Sequence, residues 1–220
     1  MRTKELLFAV TAMAVALMLA IAPQVAYSKT LQERSDKEYD NQYKEKLKEL
    51  EKGGWKISGD TRTLKVSLLE HYVTLKQDRK NNLEFVGVVS QCTSTNVCRL
   101  WAVNNAINYY ATLAGGIVAG KVGTVVKGMP KAEVDKFDAA YANRVKADAG
   151  GVLKTSFAIV RENSKTKEKE YQTFFVANEK EAKAMREDAA RYALSLLETQ
   201  VVGKELEEIF KIVDEPVYPE

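Results

Sequence analysis

One stretch, residues 83–128, constrains the fold of this chain more than any other. It opens with a short β-branched apolar run, Leu83–Gln91, and continues as Val97–Gly128, which is too long for a strand and repeats apolar residues every three or four positions. A strand that leads directly into a long helix can bury its apolar faces only against further strands and helices. The stretch therefore predicts a layered domain that contains both a sheet and helices.

The segments on either side supply the other elements. Residues 63–77 have a helical apolar face, and so do residues 131–149, where Gly150-Gly151 is expected to end the helix. The predicted order is strand, helix, helix, strand, strand, helix, with helices in front. We expect an α+β fold in which an antiparallel sheet of about three strands is covered by helices.

The C-terminal part of the domain predicts a hairpin followed by a helix. The runs Val152–Arg161 and Tyr171–Ala177 alternate apolar and polar residues and are joined by a charged turn, which is typical of an antiparallel hairpin. The alternation places three apolar side chains of the first run on one side: Leu153, Phe157 and Ile159. Asn178 is the expected cap of the next helix, which we extend past Gly203 to Val213.

The N-terminus predicts export. An apolar run, Leu6–Ala22, follows two basic residues and ends at Pro23, and the small residues Ala26 and Ser28 match a cleavage site. This pattern is typical of a secretory signal peptide cleaved after Ser28, although the run is also just long enough for an uncleaved membrane anchor. No cysteine follows the cleavage site to carry a lipid. We therefore expect a periplasmic or extracellular protein without a lipid anchor.

The remaining chain divides by composition. Residues 29–52 are charged and predict an amphipathic helix, residues 53–214 the α+β domain, and residues 215–220 a tail. The helix has a narrow apolar stripe, which either packs on its own domain or forms a seam with a partner: Tyr39, Tyr43, Leu47 and Leu50. The net charge is only +3 and the two signs are interspersed, which argues against a nucleic-acid partner.

Two cysteines lie in the loop between the main strand and the long helix. Cys92 and Cys98 are the only cysteines of the chain, and in an oxidising compartment a structural disulfide is the default expectation. Free thiols and a redox role are the alternatives, although redox pairs favour a Cys-x-x-Cys spacing. The chain has a single histidine, His71, so we expect no zinc site and no cofactor.

The long helix carries two candidate contact surfaces. A polar patch, which either lines a sugar- or peptide-binding cleft or forms an ordinary polar helix face, consists of Asn104, Asn105 and Asn108 beside Trp101. Further along, residues 111–126 are apolar enough to resemble a membrane span, but Lys121 favours a buried or interface helix instead. The glycines Gly116 and Gly120 would permit close packing there, so this stretch is the candidate self-association surface.

Several pieces of the sequence resemble a known family. The run KLKELEKGGWKISGDTRTLKVSLLEHYVTL, the strand and long helix, and the run SFAIVRENSKTKEKEYQTFFVANEKEAKAMREDAARYAL are similar to an uncharacterised family of small exported Bacteroides-type envelope proteins. That family is distantly similar to the Lpp-twenty-type envelope lipoproteins. The resemblance covers roughly residues 47–197, and its most recognisable phrase is Leu50–Lys56. It implies a small sheet with a helical layer and no assigned reaction.

The sequence therefore predicts a non-enzymatic envelope protein, a binding or assembly module that self-associates or docks on another envelope component. Its motifs include no Gly-rich phosphate loop and no dinucleotide fingerprint. The alternative is a periplasmic hydrolase or thiol-redox enzyme whose site is assembled from residues that sequence reasoning does not pair.

Overall fold

The computed structural model describes residues 36–163 and 165–218. The predicted signal peptide and residues 29–35 of the predicted N-terminal helix lie outside the described residues. Residues 36–52 are helical (α1), and the contacts divide the chain into two units after Lys46. The sheet and all other helices belong to the second unit, in which Leu50 near the end of α1 is buried.

The second unit is built on one four-stranded antiparallel sheet with the spatial order β1-β3-β4-β2. Its strands are β1 (Lys56–Ile57), β2 (Asn82–Cys92), β3 (Leu153–Glu162) and β4 (Lys169–Asn178). The β3–β4 hairpin forms the centre, and β2 pairs with the free side of β4. The α+β class and the hairpin are confirmed, but the sheet has four strands rather than about three. The additional strand is β1, which has only two residues and pairs with the outer side of β3.

Six further helices accompany the sheet in the described chain. They are α2 (Leu64–Gln77), α3 (Thr95–Val118), α4 (Val122–Val125), α5 (Lys131–Val152), α6 (Glu179–Ser195) and α7 (Lys204–Val213). The cap of α2 is Thr63, whose hydroxyl accepts a hydrogen bond from the Val66 N–H. Asn178 caps α6 as predicted, with its side chain accepting from the Lys180 N–H. No helix within the described ranges is long and apolar enough to cross a membrane.

Helices cover both faces of the sheet. On one face α3 lies over β2 and β4, and it approaches so closely that a Cβ added to Gly87 would meet the carbonyl oxygen of Ala102 at 1.8 Å. On the other face the imidazole of His71 in α2 lies against Phe157 and Phe174, with ring centroids 5.6 Å and 5.8 Å away. The side chains of β4 are buried in both directions, whereas β2 is an edge strand: Val86 is half-buried and Val88 is 48% exposed on the side away from α3. The burial of both faces that the apolar residues of β2 suggest is therefore wrong for this strand.

The main core lies between the α3 face of the sheet and the helices α3, α5, α6 and α7. It includes Tyr110, Phe137 and Ile209, all of which are fully buried, and also Val217, which falls in the segment expected to be a tail. The apolar residues of the candidate self-association stretch are part of this core: Ala111, Ala114, Val118, Val122 and Val126. The stretch is apolar because it packs within its own domain.

A buried arginine ties three elements of this core together. Arg186 of α6 donates to the Glu179 carboxylate, to the Tyr110 hydroxyl at 2.9 Å and to the Val213 carbonyl oxygen at 3.0 Å. Arg186 has no exposed surface and Glu179 is 8% exposed. Because a buried charge is stable only when it is paired and hydrogen-bonded, this set of contacts joins α6 to α3 and to the end of α7.

A bulge in β3 changes the face of the sheet on which the later side chains of this strand lie. The pairing with β4 shifts between Thr155 and Phe157, so Ser156 is an extra residue. Leu153 pairs with Ala177 on the α3 face, whereas Phe157 and Ile159 follow the bulge and lie on the α2 face. The expectation that Leu153, Phe157 and Ile159 share one side was therefore wrong, because an extra residue reverses the alternation.

The helix ends also differ from the predictions. The long helix ends at Val118 rather than Gly128, because Gly120 has a positive φ of 73° and only the short α4 follows. The next helix runs through Gly150-Gly151 to Val152, whose burial in the core favours another turn. The last predicted helix is two helices: α6 ends at Ser195, and α7 starts after Gly203, which also has a positive φ.

Candidate ligand-binding cleft

A cleft of about 510 Å³ lies between the N-terminal half of α3 and the bulged part of β3, beside the turn that follows β1. We call it the α3–β3 cleft. This volume is in the range of pockets that hold small organic ligands. Its walls consist of Ser58, Gly59, Asp60, Thr95, Asn96, Arg99, Leu100, Val103, Asn104, Thr155, Ser156, Phe157, Ala158, Tyr171 and Thr173.

The cleft exists because α3 packs closely on β2 and β4, while the neighbouring strand β3 carries small residues next to the helix. Gly87 lets α3 approach the backbone of β2, so the helix lies over β2 and β4. The neighbouring part of β3 carries Thr155, Ser156 and Ala158, which are too small to fill the space next to the helix. The combination of a close helix and a strand of small residues leaves a concave surface that is partly apolar and partly polar.

The N-terminus of α3 forms the polar end of the cleft. Ser94 occupies the cap position but makes no side-chain cap hydrogen bond, and the first turn contains no acidic residue. The first N–H groups of a helix have no partner within it, and they give this end a partial positive charge. Thr95 and Asn96 of this first turn line the cleft, and Thr95 accepts a hydrogen bond from Lys169 Nζ at 3.1 Å.

One cation and one carboxylate line the cleft. Asp60 accepts hydrogen bonds from the Arg62 backbone N–H at 3.0 Å and from Arg62 Nε at 2.7 Å. The hydrogen bonds from the Arg62 guanidinium lower the pKa of Asp60 to about 2, so this carboxylate is ionised and its charge is balanced. Arg99, by contrast, is exposed and makes no ion pair or hydrogen bond from its side chain to any described residue. Arg99 is therefore the charged side chain of the cleft that has no partner in the described chain, while Asp60 shares Arg62 with Glu70.

A buried hydroxyl without a partner lies in the cleft wall. Thr173 of β4 is 1% exposed, and within the described chain its Oγ1 has no hydrogen-bond partner. The residue lies at the wall of the cleft beneath α3. A buried polar group normally has a hydrogen-bond partner, and leaving one unpaired costs free energy. Because the Oγ1 atom is itself buried, it is not part of the surface that the cleft offers to a ligand.

The polar patch predicted on α3 is divided among three surfaces. Asn104 lines the α3–β3 cleft and also a second groove between α3 and α5, whereas Asn108 lines only that second groove. Asn105 donates to the Val88 carbonyl oxygen at 2.8 Å and so holds α3 to the outer edge of β2. Trp101 is 52% exposed and is not among the cleft residues. The structure brings only Asn104 of this group to the cleft.

The two candidate packing glycines are exposed. Gly116 has no atom within 4 Å of an added Cβ, and Gly120 lies beyond the end of α3 in the turn before α4. The close approach of backbones predicted for these glycines occurs at Gly87 instead. Their exposure leaves them without a packing role inside the second unit.

The cysteines lie at disulfide distance at the other side of the α3 N-terminus. The Cα atoms of Cys92 and Cys98 are 5.6 Å apart, and the pair joins the end of β2 to the first turns of α3. Both residues are buried, with exposed fractions of 6% and 0%. A redox cysteine pair must be accessible to a thiol of another molecule. The burial of this pair therefore favours a structural role, in which it fixes the start of α3.

Sequence reasoning did not find most of the cleft. Arg99, Thr155, Ser156 and Thr173 come from separate elements, and only the fold brings them together. The sequence contains only two weak indications of the cleft. Thr155-Ser156 interrupts the alternation of a strand, and Arg99 has no acidic residue four positions before it with which to form an ion pair on its helix. Across the described ranges no group of three or more His, Cys, Asp or Glu residues could hold a metal ion.

Comparisons with known proteins give no relative for this chain. No protein-family model, no curated protein and no solved structure matches it. The resemblance to exported envelope proteins therefore stays a prediction, and the function has to be argued from the geometry of the cleft.

Proposed function

We propose that this protein is an exported, non-enzymatic binding module of the cell envelope, and that the α3–β3 cleft is its ligand site. The observation that carries the proposal is the composition of the cleft wall. Apolar side chains, among them Leu100 and Val103, lie beside polar side chains, among them Asn104 and Arg99, and Arg99 has no partner in the described chain. Small-molecule sites typically combine an apolar surface with a few convergent polar groups in this way.

The chemistry of the wall supports binding rather than catalysis. The described residues that line the cleft include no histidine, cysteine, lysine or glutamate. Asp60 is the carboxylate of the cleft, and its lowered pKa makes it a poor general base because such a group should have a pKa near the working pH. The side chains present can donate and accept hydrogen bonds and can hold a charge, which are the properties of a recognition site.

A cleft-filling variant tests this proposal. Thr155 is exposed on β3 and lines the cleft, so Thr155→Trp places a large side chain in the ligand space at a strand position that tolerates aromatic residues. Thr166→Trp is the matched control, because Thr166 is exposed in the β3–β4 turn, outside the cleft. We expect small-molecule fragments that bind the wild-type protein in ligand-observed NMR to bind T166W and to lose binding to T155W. Fragments that bind all three proteins equally would contradict the proposal.

Export is a separate part of the proposal and has its own test. The apolar N-terminal run and the small residues before Lys29 support a signal peptide cleaved after Ser28. N-terminal sequencing of the protein recovered from the envelope fraction should begin at Lys29. A recovered chain that still begins at Met1 would contradict cleavage.

A further inference from the structure

A second groove lies between α3 and α5, and we call it the α3–α5 groove. It has a volume of about 530 Å³ and is lined by Asn104, Ile107, Asn108, Asn143, Lys146 and Ala147. We infer that this groove is a second binding site and that its ligand is a neutral oligosaccharide. The inference goes beyond the proposed function, which concerns the α3–β3 cleft.

The shape of the groove follows from the packing of the two helices. A Cβ added to Gly115 of α3 would lie 3.5 Å from the Cβ atom of Ala142, and one added to Gly150 of α5 would lie 3.7 Å from Cδ1 of Ile107. The helices are therefore antiparallel and in contact at both points. These points are eight residues apart on each helix, which corresponds to about 12 Å of helix length. A groove along such a helix pair suits an elongated ligand.

Three asparagine side chains from the two helices converge on the groove. Asn104 and Asn108 of α3 and Asn143 of α5 are exposed, and none of them makes a side-chain hydrogen bond to a described residue. Asn105, by contrast, donates to the Val88 carbonyl oxygen and so has a role in the fold. Asparagine is less favourable than alanine within a helix. The three groove asparagines carry this cost without a compensating contact in the described chain, and their convergence carries the inference.

The hydrogen-bonding groups of the groove select the class of ligand. Each asparagine carboxamide has an NH₂ group that donates and an oxygen that accepts, so it can pair with a hydroxyl, which also does both. Lys146 adds a donor that makes no ion pair within the described chain. The described residues that line the groove include no carboxylate, the usual partner of a cationic ligand. A neutral chain that carries several adjacent hydroxyls matches this set of groups.

The apolar part of the groove favours a sugar over a peptide. It consists of the half-buried Ile107 and the small Ala147. Peptides bind through anchor side chains in an apolar groove or by pairing with a sheet edge, and this groove between two helices provides neither. Trp101 is 52% exposed and lies one turn before Asn104 on the same face of α3. Its indole extends the groove with a flat apolar surface for the face of a sugar ring.

Two variants separate a role in ligand binding from a role in the fold. Asn108→Ala and Asn143→Ala each remove one carboxamide, from opposite walls of the groove. Because alanine has the higher helix propensity, the melting temperatures of both variants should equal or exceed that of the wild type. Asn41→Ala is the matched control, because Asn41 is an exposed helical asparagine of α1, outside the groove. All three substitutions leave the net charge unchanged.

The experiment first screens the fluorescently labelled protein against an array of neutral and acidic oligosaccharides. The ¹⁵N-labelled protein is then titrated with each sugar that binds and, in parallel, with an uncharged capped tetrapeptide of serine and alanine. We expect a neutral oligosaccharide to bind and to shift the side-chain NH₂ resonances of Asn104, Asn108 and Asn143. N108A and N143A should weaken its binding about tenfold or more, and N41A should bind as the wild type does.

Three results would overturn the inference. If no sugar of the array binds, or only acidic sugars bind, the ligand is not a neutral oligosaccharide. If the tetrapeptide alone shifts the groove resonances, the groove binds a peptide. If a neutral sugar shifts only resonances elsewhere, or N108A and N143A bind it as tightly as the wild type, the groove is not its site. Each of these results leaves the proposed function of the α3–β3 cleft to its own test with T155W.

Discussion

The close contact between α3 and β2 at Gly87 gives the sharpest test of the fold. A Cβ at this position would lie 1.8 Å from the Ala102 carbonyl oxygen and 2.7 Å from its carbonyl carbon. Because both are backbone atoms of a helix, no side-chain rotation can relieve the clash. In Gly87→Ala the helix and the strand must separate by more than 1 Å, which also moves one wall of the α3–β3 cleft.

The cost follows from the packing that this movement disrupts. Insertion of one carbon into a packed core costs about 1–3 kcal/mol when the surroundings can adjust, and a contact with backbone belongs at the upper end. We therefore expect Gly87→Ala to lower the free energy of unfolding by about 3 kcal/mol. For a protein of this length that corresponds to a decrease in melting temperature of about 6–12 °C.

Gly116→Ala provides the matched control. Gly116 is an exposed glycine within α3, and an added Cβ there meets no atom within 4 Å. The same substitution should stabilise the protein by about 0.5–1 kcal/mol through helix propensity alone. Urea unfolding followed by circular dichroism measures both variants. Equal stabilities of G87A and the wild type would refute the reasoning that α3 rests on the backbone of β2.

Three further predictions concern buried and charged contacts. Arg186→Met should cost about 3–5 kcal/mol in urea unfolding because it leaves the buried Glu179 carboxylate unpaired, and adding Glu179→Leu should restore part of this loss; purely additive costs would contradict the pairing. Reduction of the disulfide should lower the free energy of unfolding by about 2 kcal/mol, measured in urea with and without reductant, and an unchanged midpoint would mean that the bond is absent. The Asp60 carboxyl should titrate at about pH 2 in NMR and return toward about 3.9 in R62Q. Since its pKa is lower in the folded state, its contribution to stability is present above about pH 3.9 and is lost as the pH falls through about 2, and titration of wild-type Asp60 near 3.9 would contradict this contact.

The parts of the fold that depend on local patterns could be predicted from the sequence. Alternation identified the β3–β4 hairpin, and the spacing of apolar residues identified α2, which begins directly after its Thr63 cap. The bulge at Ser156 could not be predicted, because the interruption of the alternation at Thr155-Ser156 does not say which residue of the strand is left unpaired. Gly150-Gly151 misled the prediction because glycine both ends helices and occurs within them when the next residue, here Val152, is buried.

The cleft depends on contacts between distant parts of the chain. Ser58, Arg99, Ser156 and Thr173 come from four separate segments, and none of them is unusual where it stands in the sequence. Sequence reasoning located the polar surface of α3 but left open whether Asn105 lines a binding cleft or an ordinary polar helix face; its amide holds the helix to β2. The pairing of strands and the height of α3 above the sheet, which set the cleft, are tertiary properties that one segment does not encode.

The central claim is that the α3–β3 cleft binds a ligand, and the most direct test is a map of where small molecules bind. Backbone amide spectra of the ¹⁵N-labelled protein should be recorded with a diverse library of small fragments. We predict that the shifted resonances cluster in the first turns of α3 and in the β3 bulge, at residues 95–104 and 155–158. Shifts that cluster on another surface, or an absence of any binding fragment, would contradict the account.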